Sequence, residues 1–142
     1  MITSWKMTRR AVIGFAAAAL MVGTTQMVMG DGGGGSRLRT KLAGAAIAGK
    51  TPYGSAEFRV DSPSRTRLNV EVENVNLAAG TVLNVSVSHL GLPTVVGHIT
   101  LSATGNGELE LESQHGDAVP AVVSGDIVTV DNAGSPILAG VF

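Results

Sequence analysis

Four oxygen-bearing side chains in the C-terminal third of the sequence are the best metal ligands that it offers. Asp126, Asp131 and Asn132 flank one apolar run, and Asp117 precedes them in a stretch rich in turn-forming residues. Calcium takes about six to eight oxygen ligands, and closely spaced acidic and amide side chains in loops usually supply them. The sequence has no D-x-[DN]-x-[DN]-G loop. A calcium- or ligand-binding module that uses these residues is therefore an alternative prediction, beside a module that binds no metal.

The sequence offers few residues that could carry out catalysis. The three histidines, His89, His98 and His115, do not form a pair at the i, i+2 or i, i+4 spacing with which one strand or helix makes a metal site. The sequence contains no G-x-S-x-G element and no cysteine, so neither a serine nucleophile elbow nor a thiol nucleophile is indicated. We therefore predict no catalytic residues, no enzyme activity and no cofactor.

Charged side chains occur in rows at every second position. A glycosidase would need two carboxylates that face a cleft, one of them with a raised pKa. These carboxylates alternate instead with Leu and Val, which predicts a solvent-facing side of a sheet held by cross-strand ion pairs. The acidic rows are Glu71 and Glu73, then Glu108, Glu110 and Glu112, and the basic rows are Arg37, Arg39 and Lys41, then Arg65 and Arg67.

The elements that carry these rows have a period of two. "SAEFRV", "RLNVEVE" and "GELELES" alternate apolar and polar residues, and Gly, Pro, Asn and Asp clusters separate such runs. The pattern predicts an all-β fold, an antiparallel β-sandwich of about seven to eight short strands with Greek-key-like connections. The apolar positions predict a buried core that includes Phe58, Leu68, Val70, Val72, Leu109 and Leu111.

Two segments resemble each other and predict a repeated hairpin. Residues 79–99 and 124–142 each contain a strand, a Gly-x-Pro turn and a strand with an internal glycine four residues after the proline. Their alignment needs one two-residue gap, which we assign to the hairpin tip because loop lengths vary most easily there. The final strand is apolar on both faces, with Ile137, Ala139 and Val141 on one face and Leu138 and Phe142 on the other. It is therefore predicted to be covered on both sides, or to support self-association of the chain.

The first residues have the pattern of an export signal. Lys6, Arg9 and Arg10 precede an apolar run of 13 residues at 11–23, and a polar stretch follows it. This run is shorter than the roughly 20 residues that a membrane span needs. We predict a twin-arginine-like signal peptide at 1–30, with an uncleaved N-terminal anchor as the alternative. A Gly-rich flexible spacer at 31–36 and a single β-sandwich domain at 37–142 follow.

Composition excludes several classes of protein. After the predicted cleavage, the chain carries seven Lys and Arg against eleven Asp and Glu, a formal charge of −4. An acidic balance argues against nucleic-acid binding. Without cysteine, an exported chain has no disulfides and depends on packing alone.

The stretch "LAGAAIAGKTPYGSAEFRV" followed by "LNVEVENVNLAAGTVLNV" resembles the opening half of the CHRD (chordin-type) domain of secreted bacterial proteins. The family's His-x-His element is absent, so a metal role of those histidines does not carry over. The resemblance implies a β-sandwich in the bacterial envelope or outside the cell. We accordingly predict an exported, non-catalytic module, periplasmic, at the cell surface or extracellular, with a structural role or a protein or cell-surface partner and no membrane span in its mature form.

Overall fold

The structure, a computed structural model, describes residues 26–27 and 35–142, and for 26–27 the backbone alone. Among the described residues the regular elements are strands, apart from one short 3-10 helix at Ser113–His115. The strands are β1 (Gln26–Met27), β2 (Ser36–Ala43), β3 (Tyr53–Ser62), β4 (Arg65–Glu73), β5 (Val82–His89), β6 (Leu92–Thr100), β7 (Gly107–Glu112), β8 (Ile127–Asn132) and β9 (Ser135–Val141). The predicted all-β fold is confirmed.

All pairings between the strands are antiparallel, and eight strands follow one path in the order β6-β5-β8-β9-β2-β3-β4-β7. The sheet curls until its two end strands meet. A Cβ placed on Gly97 of β6 would lie 2.7 Å from the Leu109 side chain of β7, and one on Gly107 would lie 3.0 Å from the Thr100 carbonyl oxygen. The two layers of the sandwich are therefore the halves of one nearly closed sheet.

The connections are Greek-key-like, as predicted. β5 and β6 form a hairpin, β7 lies against β6, and the chain then returns so that β8 pairs with the other side of β5. β8 and β9 form the second hairpin.

The two hairpins have the same tip. Leu90-Gly91 and Ala133-Gly134 are both two-residue turns in which both residues have positive φ, the conformation that type I′ hairpins require. In each hairpin, the strand glycine pairs with the residue five positions before the turn, as Gly97 with Val85. The predicted position of the gap is therefore wrong: the tips are identical, and the length difference lies in the strands, eight residues in β5 against six in β8.

The last strand lies inside the sheet, between β8 and β2. Val130 pairs with Leu138 and Asp131 pairs with Pro136, so Ile137 is an extra residue in a β-bulge. The bulge turns Ile137 and Leu138 into the core together. This corrects the prediction that they occupy opposite faces. β9 pairs with β8 along its length and with β2 at Ala139, so the strand is covered within one chain, and self-association through it stays a prediction.

The core is one cluster between the two halves of the sheet. Phe58, Leu68, Val70 and Val72 are buried as predicted. Leu109 and Leu111 point toward the same cluster but are only partly buried. β7 is an end strand with no hydrogen-bonded neighbour on its outer edge, and the β6 residue beside Leu109 is Gly97, which has no side chain to cover it.

The predicted signal peptide at 1–30 and most of the spacer lie outside the described residues. One exception is the backbone of Gln26–Met27, which pairs with Leu38 and Arg39 of β2 and would be lost if the chain were cleaved after Gly30. The other is the end of the spacer, since β2 begins at Ser36. Within the described residues, the structure holds no helix with the length and apolar character needed to cross a membrane.

Candidate functional site

The outer face of β2, β3, β4 and β7, the side turned away from the core, carries a groove of about 700 Å³. Strand alternation places polar side chains there, and the strand registers align them in rows across the sheet. The rows are Arg37–Arg59–Arg67–Glu112, Arg39–Glu57–Asn69–Glu110 and Lys41–Ser55–Glu71–Glu108. One side of the groove is thus basic, and the other is acidic.

The basic side is organised around Glu57. Its Oε2 accepts a hydrogen bond from Arg37 Nη2 at 2.7 Å and a second, short one from Arg39 Nε, and its Oε1 lies 3.8 Å from Arg59 Nε. Partial burial raises the pKa of Glu57, but the hydrogen bonds and positive charges of Arg37 and Arg39 outweigh it, so the pKa is below its ordinary value of 4.5. The carboxylate therefore stays ionised and holds β2 against β3.

A second group of ion pairs continues from there toward the end of β7. Glu112 is buried, and its Oε1 lies 3.0 Å from Arg65 Nη2 and 3.5 Å from Arg67 Nε. Asp61 Oδ1 accepts from Arg59 Nη2 at 3.0 Å, and its Oδ2 lies 3.3 Å from Arg67 Nη2. The prediction that Glu112 faces solvent is wrong, because β7 ends there and the 3-10 helix follows. The predicted cross-strand ion pairing is confirmed for this residue.

We call this group the arginine cluster. It comprises the cations Arg37, Arg39, Arg59, Arg65 and Arg67 and the carboxylates Glu57, Asp61 and Glu112. Five cations against three carboxylates leave an excess of two positive charges. Lys41, exposed at the end of β2, adds a third and has no ion-pair partner among the described residues.

The acidic side has the opposite imbalance. Glu71 of β4 and Glu108 of β7 are directly opposite each other, and Glu110 is the next outward-facing residue of β7. All three are exposed, and within the described part of the chain none forms an ion pair. Here the predicted cross-strand ion pairing is absent. Like charges directly across two strands are destabilising, so these carboxylates lower the stability of the isolated sheet.

The floor of the groove holds an unsatisfied polar atom. Asn69 lies between Glu57 and Glu110 in the middle row, and its buried Oδ1 has no hydrogen-bond partner among the described residues. A buried acceptor without a donor costs about 1–3 kcal/mol. A molecule in the groove that brings an N–H or O–H group would remove that cost.

Tyr53 begins β3 on the same face and is directly opposite Glu73 of β4. Its hydroxyl donates to Glu73 Oε2 at 2.8 Å, and this hydrogen bond, together with the negative charge of Glu73, raises the pKa of Tyr53 above its ordinary value of 10.0.

The four predicted metal ligands serve as turn residues instead. Asp117 Oδ2 accepts from the Glu112 N–H at 2.9 Å, and Asp131 Oδ1 accepts from the Gly134 N–H at 2.9 Å. Asp126 is buried, and its Oδ2 accepts from the Val123 N–H at 2.9 Å. Asn132 ends β8 beside the turn. The structure does not bring them together, and among the residues it describes no group of three or more His, Asp or Glu side chains could hold a metal ion.

Each of the three histidines has a different partner. His89 Nδ1 lies 2.7 Å from the Oδ1 of buried Asp126, a pairing of histidine with one of the predicted metal ligands that the sequence did not indicate. His98 Nδ1 lies 3.0 Å from Asn84 Oδ1, and His115 Nε2 lies 3.8 Å from Glu112 Oε2. The His89–Asp126 pair joins the end of β5 to the turn before β8.

The sequence pattern did not indicate Glu57 and Asp61, the carboxylates with the most arginine partners in the cluster. The only signal was the outward position of Glu57 in "SAEFRV", two residues from Arg59. Their partners come from β2 and β4, so the cluster depends on the strand register.

Comparison of the chain with protein-family models and with curated proteins finds no match. The resemblance to CHRD domains therefore stays a prediction.

Proposed function

We propose that the chain is an exported, non-catalytic interaction module of the bacterial envelope or cell exterior, and that its arginine cluster binds carboxylates of an acidic partner. One observation carries the proposal. Of the seven Lys and Arg residues between 35 and 142, six lie on the outer face of β2, β3 and β4, and only Lys50 lies elsewhere.

Carboxylates are the partner chemistry that this face already accommodates. Glu57, Asp61 and Glu112 each contact two or more arginines, and the planar guanidinium fork matches a carboxylate in geometry as well as charge. Three positive charges remain uncompensated when Lys41 is included. The groove beside them also contains the unsatisfied Asn69 oxygen, which favours a partner that offers a donor next to its carboxylate.

The binding half of the proposal is tested with a hexaglutamate peptide, titrated into the protein at low salt by calorimetry. We expect saturable binding that weakens about tenfold or more in the Arg39→Gln/Lys41→Gln double variant, because rim charges in an interface set the electrostatic attraction. Lys50→Gln is the matched control, since it removes one basic residue outside this face and should bind as the unchanged protein does. Equal binding by all three proteins would contradict the proposal.

The export half is tested by expressing the full sequence in a bacterium and sequencing the N-terminus of the protein recovered outside the cytoplasm. A mature chain that starts at or near Asp31 is expected from the signal-peptide pattern. Recovery of the protein with Met1 intact would argue for the anchored alternative.

A further inference from the structure

The outer face of β2, β3, β4 and β7 is charged in a way that fits a second copy of itself. The outward residues of β2 include the basic Arg37, Arg39 and Lys41, and the outward residues of β7 are the acidic Glu108, Glu110 and Glu112. β3 and β4 lie between these two strands. A second copy would supply the carboxylates that the basic side binds, so a dimer through this face rests on the proposed function.

The registers make the match specific. Through the pairings of β3 and β4, Arg39 shares a row with Glu110, and Lys41 shares a row with Glu108. Consider two copies placed face to face, with a two-fold axis parallel to the strands between β3 and β4. This rotation exchanges the positions of β2 and β7 but keeps each row at its own height. The β2 of each copy then lies opposite the β7 of the other, and every row meets itself.

We propose that the chain forms a two-fold homodimer through this face, in which Arg39 lies opposite Glu110 and Lys41 lies opposite Glu108 of the second copy. A two-fold interface makes each contact twice, so the dimer gains four such pairs. The contacts also supply what one chain lacks. Lys41, Glu108 and Glu110 have no ion-pair partner within the described residues, and all three are exposed.

A self-complementary surface of this kind gives the dimer its orientation. The charges of β2 and β7 are opposite when β2 faces β7, whereas a shift that brings β2 onto β2 juxtaposes like charges. The same arrangement places Arg59 opposite Arg67 of the second copy, and both of these arginines already contact Asp61 within one chain. The alternative contact surface is the hairpin tip of β5 and β6, where Leu90 and Leu92 are 89% and 74% exposed. That tip is apolar, so its contacts would respond to salt and to charge reversal in the opposite way or not at all.

The test is a charge swap measured by sedimentation equilibrium of the full chain. One variant, Arg39→Glu/Lys41→Glu, makes these two β2 positions acidic like Glu108 and Glu110 of β7. The other, Glu108→Lys/Glu110→Lys, makes these two β7 positions basic like Arg39 and Lys41 of β2. Lys50→Glu is the control outside the face. We expect the unchanged chain and the control to dimerise, with a dissociation constant that rises in about 0.5 M salt because exposed charges are screened. Each swapped variant alone should dissociate about tenfold or more readily, while an equimolar mixture of the two should form a heterodimer.

Stability measurements separate the dimer from simple unfolding. Thermal melts of the swapped variants should stay cooperative, and Glu108→Lys alone should melt at a higher temperature than the unchanged chain at concentrations where both are monomeric, because it removes the repulsion from Glu71. A gain in melting temperature together with a loss of dimer is a combination that a purely structural role of Glu108 does not produce.

Three results would overturn the inference. The first is a chain that stays monomeric at all concentrations; if it still bound hexaglutamate, the proposed function would stand and the dimer alone would fail. The second is a dimer that both charge-swapped variants keep and Leu92→Ser abolishes, which would assign the contact to the hairpin tip. The third is a mixture of the two variants that fails to associate.

Discussion

Glu110 and Glu112 lie on the same face of the same strand, yet their surroundings differ completely. Glu110 is exposed, whereas Glu112 is buried against Arg65 and Arg67. Because the amide of Gln cannot replace the charge that two arginines face there, we expect Glu112→Gln to lower the free energy of unfolding by about 1–3 kcal/mol. Glu110→Gln is the matched control, with an expected change below about 0.5 kcal/mol. Urea titration of both variants measures the difference, and equal effects would mean that burial of Glu112 has no energetic role.

The lowered pKa of Glu57 predicts a pH dependence of stability. A carboxyl group whose pKa is depressed in the folded state contributes stability above its unfolded pKa, near 4.5, and loses that contribution as the pH falls through the folded value. The chain should therefore be more stable than its Glu57→Gln variant at about pH 6, and the gap should close toward about pH 3. Denaturant unfolding across this range gives the two curves. Parallel curves at all pH values would exclude a stabilising contribution from the Glu57 charge.

At the scale of elements, each of the two hairpins has a glycine at the equivalent place in its second strand, but the two glycines have different neighbours. A Cβ on Gly140 would lie 2.5 Å from the Lys41 carbonyl oxygen, which is backbone, whereas a Cβ on Gly97 would meet the partly buried Leu109 side chain at 2.7 Å. The closeness of β9 to β2 thus depends on Gly140, because the Lys41 backbone cannot give way. Where β6 meets β7, the atoms facing Gly97 belong to the Leu109 side chain, which can move.

We expect Gly140→Ala to destabilise the chain by about 1–3 kcal/mol, because overpacking against a fixed backbone forces the strands apart. Gly97→Ala is the comparison variant, and its cost should be below about 1 kcal/mol because Leu109 can change its rotamer. Thermal unfolding of the two variants decides the order. A larger loss in Gly97→Ala would show that the β6–β7 closure is the tighter of the two contacts.

At the scale of the whole molecule, charge divides the sheet into two halves. No Lys or Arg occurs after Arg67, and no Asp, Glu, Lys or Arg occurs from Asn74 to Gly107, which includes all of β5 and β6. The strands β2, β3, β4 and β7 therefore carry the groove, and β5, β6, β8 and β9, whose one charged residue is Asp131, complete the core. β9 joins the halves, since it pairs with β8 on one side and β2 on the other.

Deletion of residues 136–142 should consequently abolish folding. It removes the strand between the halves together with the fully buried side chains of Leu138 and Phe142, and it leaves the backbone groups of β8 that face β9 without partners. Circular dichroism should show no cooperative melt. Pro136→Ala, which keeps the strand and changes an exposed side chain, is the control and should melt close to the unchanged chain. A cooperative melt of the truncated protein would make β9 peripheral.

The alternation of side chains was sufficient to predict the class of fold and much of the core. Strand residues alternate between two faces whatever the strand pairs with, so the buried positions of Phe58, Leu68, Val70 and Val72 follow from local sequence. The same rule placed Arg37, Arg39 and Glu110 on the outer face. In the two hairpin turns only the glycine was a local signal, because type I′ turns need positive φ at both residues and Leu90 and Ala133 are not residue types that favour it.

Tertiary structure decided the features that depend on which strands are neighbours. The partial exposure of Leu109 follows from the end position of β7, and the joint burial of Ile137 and Leu138 follows from a bulge that alternation cannot reveal. The arginine cluster needs the register of β2, β3 and β4, which brings Glu57 between cations 18 to 20 residues away. Such contacts are set by the free energy of packing the whole sheet, and no local pattern contains that information.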